Sequence, residues 1–357
     1  MRHAYLHALH ASGSANDANG WSPRWITLWR GETLAAACVL YVKTHSMGEY
    51  VFDQGWARAY AQHGLAYYPK AVIAVPFTPV PGSRLLAVDE PGRDALLYAA
   101  LTWCRNHDVS SLHLLFGSPT DLATCQRAGL ALRHTVQFHW DNWHPAGRPY
   151  RNFDDFLQAL SQDKRKKIRQ ERRKVADAGV RFRWLQGADI SPQDWDFFLQ
   201  CYERTYLEHG NPPYLNAAFF EAMAARMTHQ WLLGIAERDG QPIATSLIAL
   251  HADATGTVAY GRYWGAMARV DCLHFEACYY QPLQWCIANG VQRFEGGAQG
   301  EHKLARALLP VRSSSAHWLA DTRFAGAVRD YLQQEGSAVD DYLDVLRQHS
   351  PLRKVTV

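Results

Sequence analysis

The fold of this chain is decided by Tyr260-Gly-Arg-Tyr-Trp-Gly265 and by three segments that follow it, Leu273-His-Phe-Glu-Ala-Cys-Tyr-Tyr-Gln281, Phe294-Glu-Gly-Gly-Ala-Gln-Gly-Glu-His-Lys303 and Ser313-Ser-Ser-Ala-His-Trp318. Few other segments of the chain mix glycine, aromatic and ionisable residues so densely. Such a mixture is typical of a binding site on loops that a rigid scaffold holds in place.

These segments predict a strand, a helix and a second strand in succession. Residues 258–264 are aromatic and β-branched, which favours a strand. Apolar residues at helical spacing predict a largely buried helix over residues 273–288, which Asn289-Gly290 ends. A further strand is expected over residues 291–294. This order predicts a crossover between two parallel strands, so polar groups at their carboxyl ends should meet in one cleft.

Seven polar residues are expected in that cleft. They are Arg262, Glu295, Gln299, Glu301, His302, Lys303 and Arg306. His302 and Glu301 are the candidates for acid/base chemistry, since a histidine changes charge near neutral pH. Lys303 and Arg306 are three residues apart, so one helical turn would place both on one face, where they suit a phosphate or carboxylate. The alternative is a polar loop that only caps a helix.

The chain resembles the FemAB-like family, which is often labelled peptidoglycan biosynthesis/recognition and belongs to the GNAT acyltransferase superfamily. The resemblance rests on the segments quoted above. It extends upstream to Lys43-Thr-His-Ser-Met-Gly-Glu-Tyr-Val-Phe-Asp53 and to Lys164-Arg-Lys-Lys-Ile-Arg-Gln-Glu-Arg-Arg-Lys174. It implies a mixed α/β fold of two tandem GNAT-like domains, each a central mixed sheet flanked by helices.

The resemblance and the residue chemistry together predict the site. We expect His302, Glu301 and Lys303 to be catalytic. Residues expected to bind substrate are Arg262, Tyr263, Trp264, Gln299, Arg306, Glu276, His274, His45 and Ser46. In FemX-type relatives a Lys/Arg pair is implied to handle phosphates or developing negative charge, and Lys303 and Arg306 are the matching positions.

The two halves of the chain share one order of elements. Residues 71–76, 94–106 and 109–116 are predicted as strand, helix and strand, as in the carboxyl half. We interpret this as a weak internal repeat. The predicted domains are residues 1–150 and 151–357, and the second opens with a basic helix over residues 153–178.

The basic run within that helix predicts contact with nucleic acid. Eight of the eleven residues from Lys164 to Lys174 are basic, which would attract phosphates in a salt-sensitive manner. The candidate contacts are Lys164, Arg165, Lys167, Arg169, Arg172 and Arg173. The alternative is a solvated helix face, with its charges answered by Asp154, Asp155, Asp163 and Glu171.

The acyl donor is expected to be either acyl-CoA or aminoacyl-tRNA. In GNAT enzymes that use acetyl-CoA, a glycine-rich turn holds the pyrophosphate at a helix start. Pro79-Val-Pro-Gly-Ser-Arg84 has two prolines and one glycine, and Ala266-Met-Ala-Arg-Val-Asp271 has no glycine. Neither matches that turn, which favours the FemX-type donor, aminoacyl-tRNA, while the habit of the superfamily favours CoA.

Composition excludes several other classes. The net charge is only +3, so affinity for nucleic acid must come from a local patch. Seven scattered cysteines indicate neither a disulfide framework nor a zinc site, and no metal is expected. No apolar run has the length of a membrane span, and the amino terminus lacks a signal-peptide pattern. We expect a cytoplasmic protein that holds no cofactor tightly.

Three functions stay open from the sequence. The first is an N-acyltransferase that forms an amide on an amine-bearing small molecule or a peptidoglycan precursor, with tRNA as a candidate partner. The second is a non-catalytic module that binds peptidoglycan precursor or RNA. The third is an acyl-CoA-dependent N-acetyltransferase acting on a small amine or secondary metabolite.

Overall fold

The structure is a computed structural model that describes residues 2–298 and 300–353. Over these residues the α-helices are α1 (His3–Ala11), α2 (Gln54–Gln62), α3 (Glu90–Asn106), α4 (Pro119–Arg127), α5 (Phe153–Ala159), α6 (Gln162–Asp177), α7 (Pro192–Glu208), α8 (Ala217–Arg226), α9 (Leu273–Phe275), α10 (Gln281–Ala288) and α11 (Thr322–Gln348). The strands are β1 (Trp21–Arg30), β2 (Thr33–Lys43), β3 (Lys70–Ile73), β4 (Leu86–Ala87), β5 (Ser111–Leu114), β6 (Ala131–Asp141), β7 (Val180–Gln186), β8 (Trp231–Arg238), β9 (Gln241–Asp253), β10 (Gly256–Ala266), β11 (Arg293–Ala298) and β12 (Leu309–Leu319).

The chain forms two compact units. The first contains the described residues up to Val136 together with Arg312–Tyr342. The second contains Gln137–Val311 and the described residues from Leu343 onward. The first unit thus includes a segment from the carboxyl-terminal part of the chain. The domains expected over residues 1–150 and 151–357 stay a prediction.

The first unit contains a hairpin and the predicted crossover. Strands β1 and β2 pair antiparallel, β2 pairs antiparallel with β3, and β3 pairs parallel with β5. Helix α3 connects the parallel pair and begins at Asp89, whose carboxylate accepts a hydrogen bond of 2.7 Å from the Gly92 amide. Its buried Leu96, Leu97 and Leu101 pack on the sheet. Each such leucine contributes about 2 kcal/mol through removal from water.

The second unit repeats the plan with a longer antiparallel part. Strands β7, β8, β9 and β10 pair antiparallel in that order, β10 pairs parallel with β11, and β11 pairs antiparallel with the end of β6. The hairpin between β8 and β9 turns at Asp239 and Gly240, which both have positive φ. The parallel pairing of β10 with β11 confirms the crossover predicted over residues 258–294, although β11 begins at Arg293.

One glycine fixes how a helix lies on the site strand of the second unit. A Cβ on Gly265 would stand 2.0 Å from the Cys201 carbonyl oxygen, so only glycine lets α7 approach β10 so closely. The Thr205 hydroxyl of α7 also donates to the Trp264 carbonyl over 2.9 Å. These contacts hold the carboxyl end of β10, where Tyr263 and Trp264 lie.

One helix prediction is corrected by the structure. The helix expected over residues 153–178 is broken into α5 and α6, because Leu160 is extended and the carboxyl-terminal segment bonds to the break. Ser161 donates its amide to the Pro351 carbonyl over 2.8 Å, and Arg353 donates to the Ala159 carbonyl over 2.9 Å.

Candidate active site

A cavity of about 430 Å³ lies at the carboxyl ends of the parallel strands β10 and β11 of the second unit. Its lining mixes glycine, aromatic and ionisable residues, as the sequence of this region predicts. The lining residues are Ser246, Gly261, Arg262, Tyr263, Trp264, His274, Cys278, Tyr279, Phe294, Gly296, Gly300, His302 and Lys303.

The helix over residues 273–288 contains a π-helical turn at Glu276–Tyr280, between α9 and α10. A π-turn widens the helix and changes which residues share a face, and such turns are frequent at functional sites. Cys278 and Tyr279 line the cavity, whereas the buried Glu276 bonds to Arg172 of α6. The turn therefore presents one side to the cavity and the other to the basic helix.

Successive side chains of strand β11 lie alternately on the cavity side and on the opposite side of the sheet. Phe294 and Gly296 line the cavity, whereas Glu295 between them does not, because neighbouring strand residues face opposite sides. The Glu295 carboxylate lies 3.7 Å from His139 Nε2, and burial raises its pKa to about 7. A Cβ on Gly296 would meet Leu308 at 2.6 Å and Lys303 at 3.3 Å, so glycine here makes room for protein packing.

A short 3-10 helix, Glu301–Arg306, carries two of the predicted catalytic residues into the cavity wall. His302 Nε2 lies 3.0 Å from the Tyr279 hydroxyl, so this pair shares a hydrogen bond. Lys303 is 4% exposed, and its Nζ donates to the Gly297 carbonyl over 3.1 Å. The site thus places an imidazole, a phenol and a buried amine at one cavity.

Burial tunes the charges of these groups. It lowers the pKa of Lys303 to about 8, because an ammonium is poorly solvated there. Burial, then the positive charges of Arg306 and Lys303, also lower the pKa of His302. Burial is again the main cause at His274, where it lowers the pKa to about 4. At neutral pH the site accordingly combines neutral imidazoles with a lysine that is mainly charged.

Besides Glu295, three further residues that were expected in or around the cleft do not line this cavity. Glu301 is exposed on the 3-10 helix. Glu276 accepts from Arg172, with an ion-pair distance of 3.0 Å. Arg306 is buried, and it lies 3.0 Å from the Glu171 carboxylate. Gln299 lies outside the described residues.

His45 and Ser46 belong to the first unit and are not among the residues that line this cavity. His45 Nε2 is 3.0 Å from the Asn19 carbonyl, and its other nitrogen accepts from the Met47 amide over 3.2 Å. Ser46 accepts a hydrogen bond of 2.8 Å from Lys70. The structure therefore does not join these two residues to the predicted cleft.

Ser46 instead borders a buried ionic network. Lys70 Nζ, which is fully buried, lies 2.7 Å from Glu49 and also bonds to Asp53. Asp53 accepts from the Tyr67 hydroxyl over 2.6 Å, and that hydroxyl is 3.2 Å from His113. Spacing along the chain does not predict this network, because its members come from four separate elements and loops.

The basic helix α6 exposes several charges that lack acidic neighbours. Lys166, Lys167 and Arg173 are exposed, and within the described residues no carboxylate lies within 4 Å of their charged groups. Two of the acidic residues expected to neutralise this basic run form ion pairs with arginines outside it. Asp155 pairs with Arg148 and Arg151. Glu171 pairs with Arg306. Asp154 answers only Arg169, at 3.9 Å.

A second cavity, of about 460 Å³, borders α6 in the second unit. Its charged lining residues are Asp154, Arg169, Arg172, Arg173, Arg181 and Glu276, and its aromatic ones are Phe153 and Phe182. Four arginines against two carboxylates give this cavity a net positive character. It contains three of the arginines predicted to contact nucleic acid.

Several residues of this cavity were not predicted from the sequence. The predicted site residues that do line it are Arg262, Tyr263, Trp264, His274, His302 and Lys303. Tyr279 was not singled out, although its hydroxyl is the partner of His302. Ser246 of β9 and Cys278 of the π-turn were also missed. Tyr279 is part of the segment of residues 273–281, which the sequence predicts as a regular helix. Regular helical spacing does not show which residues of a π-helical turn face a cleft.

No membrane-crossing candidate occurs among the helices of residues 2–298 and 300–353, which fall short in length or in apolar character. Within the same residues, no three His, Cys, Asp or Glu side chains are grouped in a way that would hold a metal ion.

Comparisons with known proteins agree with the fold. The sequence profile of the FemAB-like family, described as peptidoglycan biosynthesis/recognition, matches residues 1–354. No curated protein matches the sequence. The solved structure of FemX is similar, with a TM-score of 0.52 and 10% identity over 92% of this chain and 93% of FemX. The structure of L-PGS from Bacillus licheniformis gives a TM-score of 0.51 and 11% identity over 88% of this chain and 90% of L-PGS.

The prediction of a mixed α/β fold built as two units is confirmed by these findings together.

Proposed function

The chain belongs to the FemAB-like family, and from this membership and the geometry of its cavity we propose that it is an acyltransferase that forms an amide bond on an amine acceptor. One observation carries the proposal. Arg262, His274, Tyr279, His302 and Lys303 line a single cavity at the carboxyl ends of the parallel strands. Plain binding would not require a neutral imidazole beside a buried lysine of lowered pKa.

His302 is the proposed proton acceptor. The acceptor amine attacks the acyl carbonyl, a carbon–nitrogen bond forms, and the bond from the carbonyl to its oxygen or sulfur leaving group breaks. The amine loses a proton in this step. His302 can take it because its lowered pKa keeps the imidazole neutral near pH 7, and Tyr279 orients the ring through their 3.0 Å contact.

Lys303 is the proposed stabiliser of the developing oxyanion. Its ammonium lies in a poorly solvated wall, where a charge interacts more strongly than it does in water. The Gly297 carbonyl holds the Nζ in place before the reaction. Arg262, the other cation of the cavity, suits an anionic group of donor or acceptor. Positioning and electrostatics, without a covalent intermediate, would supply the rate.

The proposed donor is an aminoacyl ester of tRNA. Helix α3 has Asp89 at its N-cap and Glu90 as its first residue, and the loop before Leu273 contains Asp271 and no glycine. Carboxylates at a helix start oppose the binding of a pyrophosphate. The exposed cations of α6 provide a surface for tRNA phosphates instead. The proposed acceptor is an amine of a peptidoglycan precursor, in keeping with the description of the family.

A ligand screen followed by a transfer assay tests this function. Melting temperature is measured with bulk tRNA, acetyl-CoA and longer acyl-CoAs, and a shift with tRNA is expected. Transfer is then measured as movement of label from a mixture of aminoacyl-tRNAs to a peptidoglycan precursor that bears a free amine. His302→Ala should lower the rate at least tenfold, whereas the exposed control His349→Ala should leave it unchanged.

Two results would contradict the proposal. A shift specific to an acyl-CoA that survives high salt would replace the tRNA donor with CoA. Equal transfer by wild type and by folded His302→Ala would remove His302 from the chemistry.

A further inference from the structure

Arg306 lies inside the protein, between an aromatic ring and a carboxylate. Its guanidinium carbon is 3.6 Å from the centre of the Phe275 ring. Nη2 donates to the Glu171 carboxylate over 3.0 Å, and only 3% of the residue is exposed. An arginine held in this way is not placed to bind a ligand in the cavity.

Arg306 instead reaches the backbone of the proposed proton acceptor. Its Nη1 donates to the His302 carbonyl over 2.7 Å. Hydrogen-bond geometry is generally poorer in a 3-10 helix than in an α-helix, so such a side-chain bond matters for the position of the turn. Glu171 fixes the other side of the same guanidinium and also accepts from the Tyr280 hydroxyl. Glu171, Arg306 and the His302 backbone thus form one continuous chain of contacts.

Glu171 belongs to α6, the helix whose outer face carries the exposed cations. A second tie joins α6 to the cavity wall, because Arg172 bonds to Glu276 of the π-turn at 3.0 Å. The helix therefore contacts both segments that present catalytic candidates, the 3-10 helix and the π-turn. A change in the position of α6 would therefore shift the segments that carry His302 and Tyr279.

We propose that Glu171 and Arg306 are positioning residues that hold His302 for catalysis and tie its position to the donor-binding helix α6. The inference rests on the proposed function. A buried ion pair is often no more stabilising than apolar residues of similar size. A role in stability alone would therefore not require this pair, whereas a role in orientation would.

The charged and titratable neighbours of His302 come from two segments. Glu301, Lys303 and Arg306 lie on its own 3-10 helix, and Tyr279 and His274 lie on the helix that begins at Leu273. Arg306 and Lys303 are the two cations that lower the pKa of His302. Removal of the Arg306 charge should therefore raise that pKa.

The decisive variant is the double substitution Glu171→Leu with Arg306→Met, which removes the pair without leaving a lone buried charge. We expect a melting temperature within a few degrees of wild type, a kcat at least tenfold lower and a KM for aminoacyl-tRNA within twofold. Titration of the His302 ring carbon signal by NMR, assigned with His302→Ala, should show a higher midpoint. Glu203→Gln, an exposed glutamate of α7, is the control and should change none of these.

Each outcome decides the inference. A folded double variant with kcat within twofold of wild type, or with an unchanged His302 midpoint, would overturn it. If the double variant fails to fold, Arg306→Lys keeps the charge but loses the forked geometry, and it should lower kcat while leaving KM within twofold. If wild type itself transfers nothing, the proposed function fails, and the NMR titration still tests the link between Arg306 and His302.

Discussion

Lys303 offers the sharpest test of the chemistry, because burial sets its pKa at about 8. If the ammonium stabilises the oxyanion, activity requires the charged form. Below pH 7 more than about nine-tenths of Lys303 is charged, and at pH 9 only about one-tenth is. The rate should therefore fall about tenfold between these values. His302 must be neutral, so the rate should rise as pH increases through its lowered pKa, below 6.5.

Substitution of Lys303 separates charge from position. Lys303→Met removes the cation and should lower kcat/KM by about 10²-fold, the usual effect of losing an oxyanion donor. Lys303→Arg keeps a charge at every pH up to 9.5, since an arginine stays protonated. That variant should lose the alkaline fall, although its plateau is lower because the longer side chain shifts the charge.

The measurement is kcat/KM for label transfer from aminoacyl-tRNA between pH 5.5 and 9.5, with hydrolysis in the absence of enzyme subtracted. A rate that rises through pH 8 in wild type but not in Lys303→Arg would refute the reasoning, because the neutral amine of Lys303 would then act as a base. Persistence of the alkaline fall in Lys303→Arg would also refute it, since the titrating group would then lie elsewhere.

Two further predictions concern stability and the basic helix. Lys70→Met should lower stability by about 3–5 kcal/mol, because it leaves Glu49 and Asp53 buried without their cation. Burial raises the pKa of Glu49 to about 7, above its value in the unfolded chain. The loss of unfolding free energy in Lys70→Met should therefore shrink as pH falls, because the two carboxylates then bind protons. A loss that is independent of pH in thermal unfolding would contradict this. Charge reversal at Lys167 and Arg173 should weaken tRNA binding and reduce the slope of log Kd against log salt by about one unit for each lost phosphate contact. Unchanged salt dependence in a fluorescence titration would place tRNA elsewhere.

The elements that could be predicted are those with a local signal. The strand at 258–264 has β-branched and aromatic residues, and Gly290 with its positive φ follows the predicted helix as a left-handed cap. The turn at Asp239-Gly240 likewise needs positive φ at both residues. These signals place the cavity walls in order along the chain, and they were enough to predict the parallel pair.

The break between α5 and α6 could not be predicted, because its cause is distant in sequence. Phe153, Phe156, Leu157 and Leu160 continue a helical stripe toward Ile168. The backbone at Leu160 nevertheless leaves the helix and bridges to Leu352. Local propensity is a weak preference that tertiary hydrogen bonds override.

The different roles of Lys303 and Arg306 could not be predicted, because the sequence does not show in which direction each side chain points. Lys303 and Arg306 share a helical face by spacing, which predicted a common anion site. In the 3-10 helix, Lys303 borders the cavity while Arg306 lies against Phe275 and Glu171. The choice between these surroundings depends on Glu171 of α6, which lies 135 residues before Arg306, so spacing alone could not have assigned it.

The crossovers of the two units differ in what lies at the carboxyl ends of their parallel strands. This difference indicates that the reaction takes place in the second unit. In the first unit, the loop after β3 is filled by Arg84, whose guanidinium donates to the carbonyls of Leu115, Gly82 and Val80 at 3.0, 3.1 and 2.6 Å. The amide of Arg84 is bound by Asp121 as well. Polar groups that satisfy one another in this way have little capacity left for a ligand. In the second unit, the matching carboxyl ends border a cavity lined by His302 and Lys303, so we expect the first crossover to serve as scaffold and the second to carry the reaction.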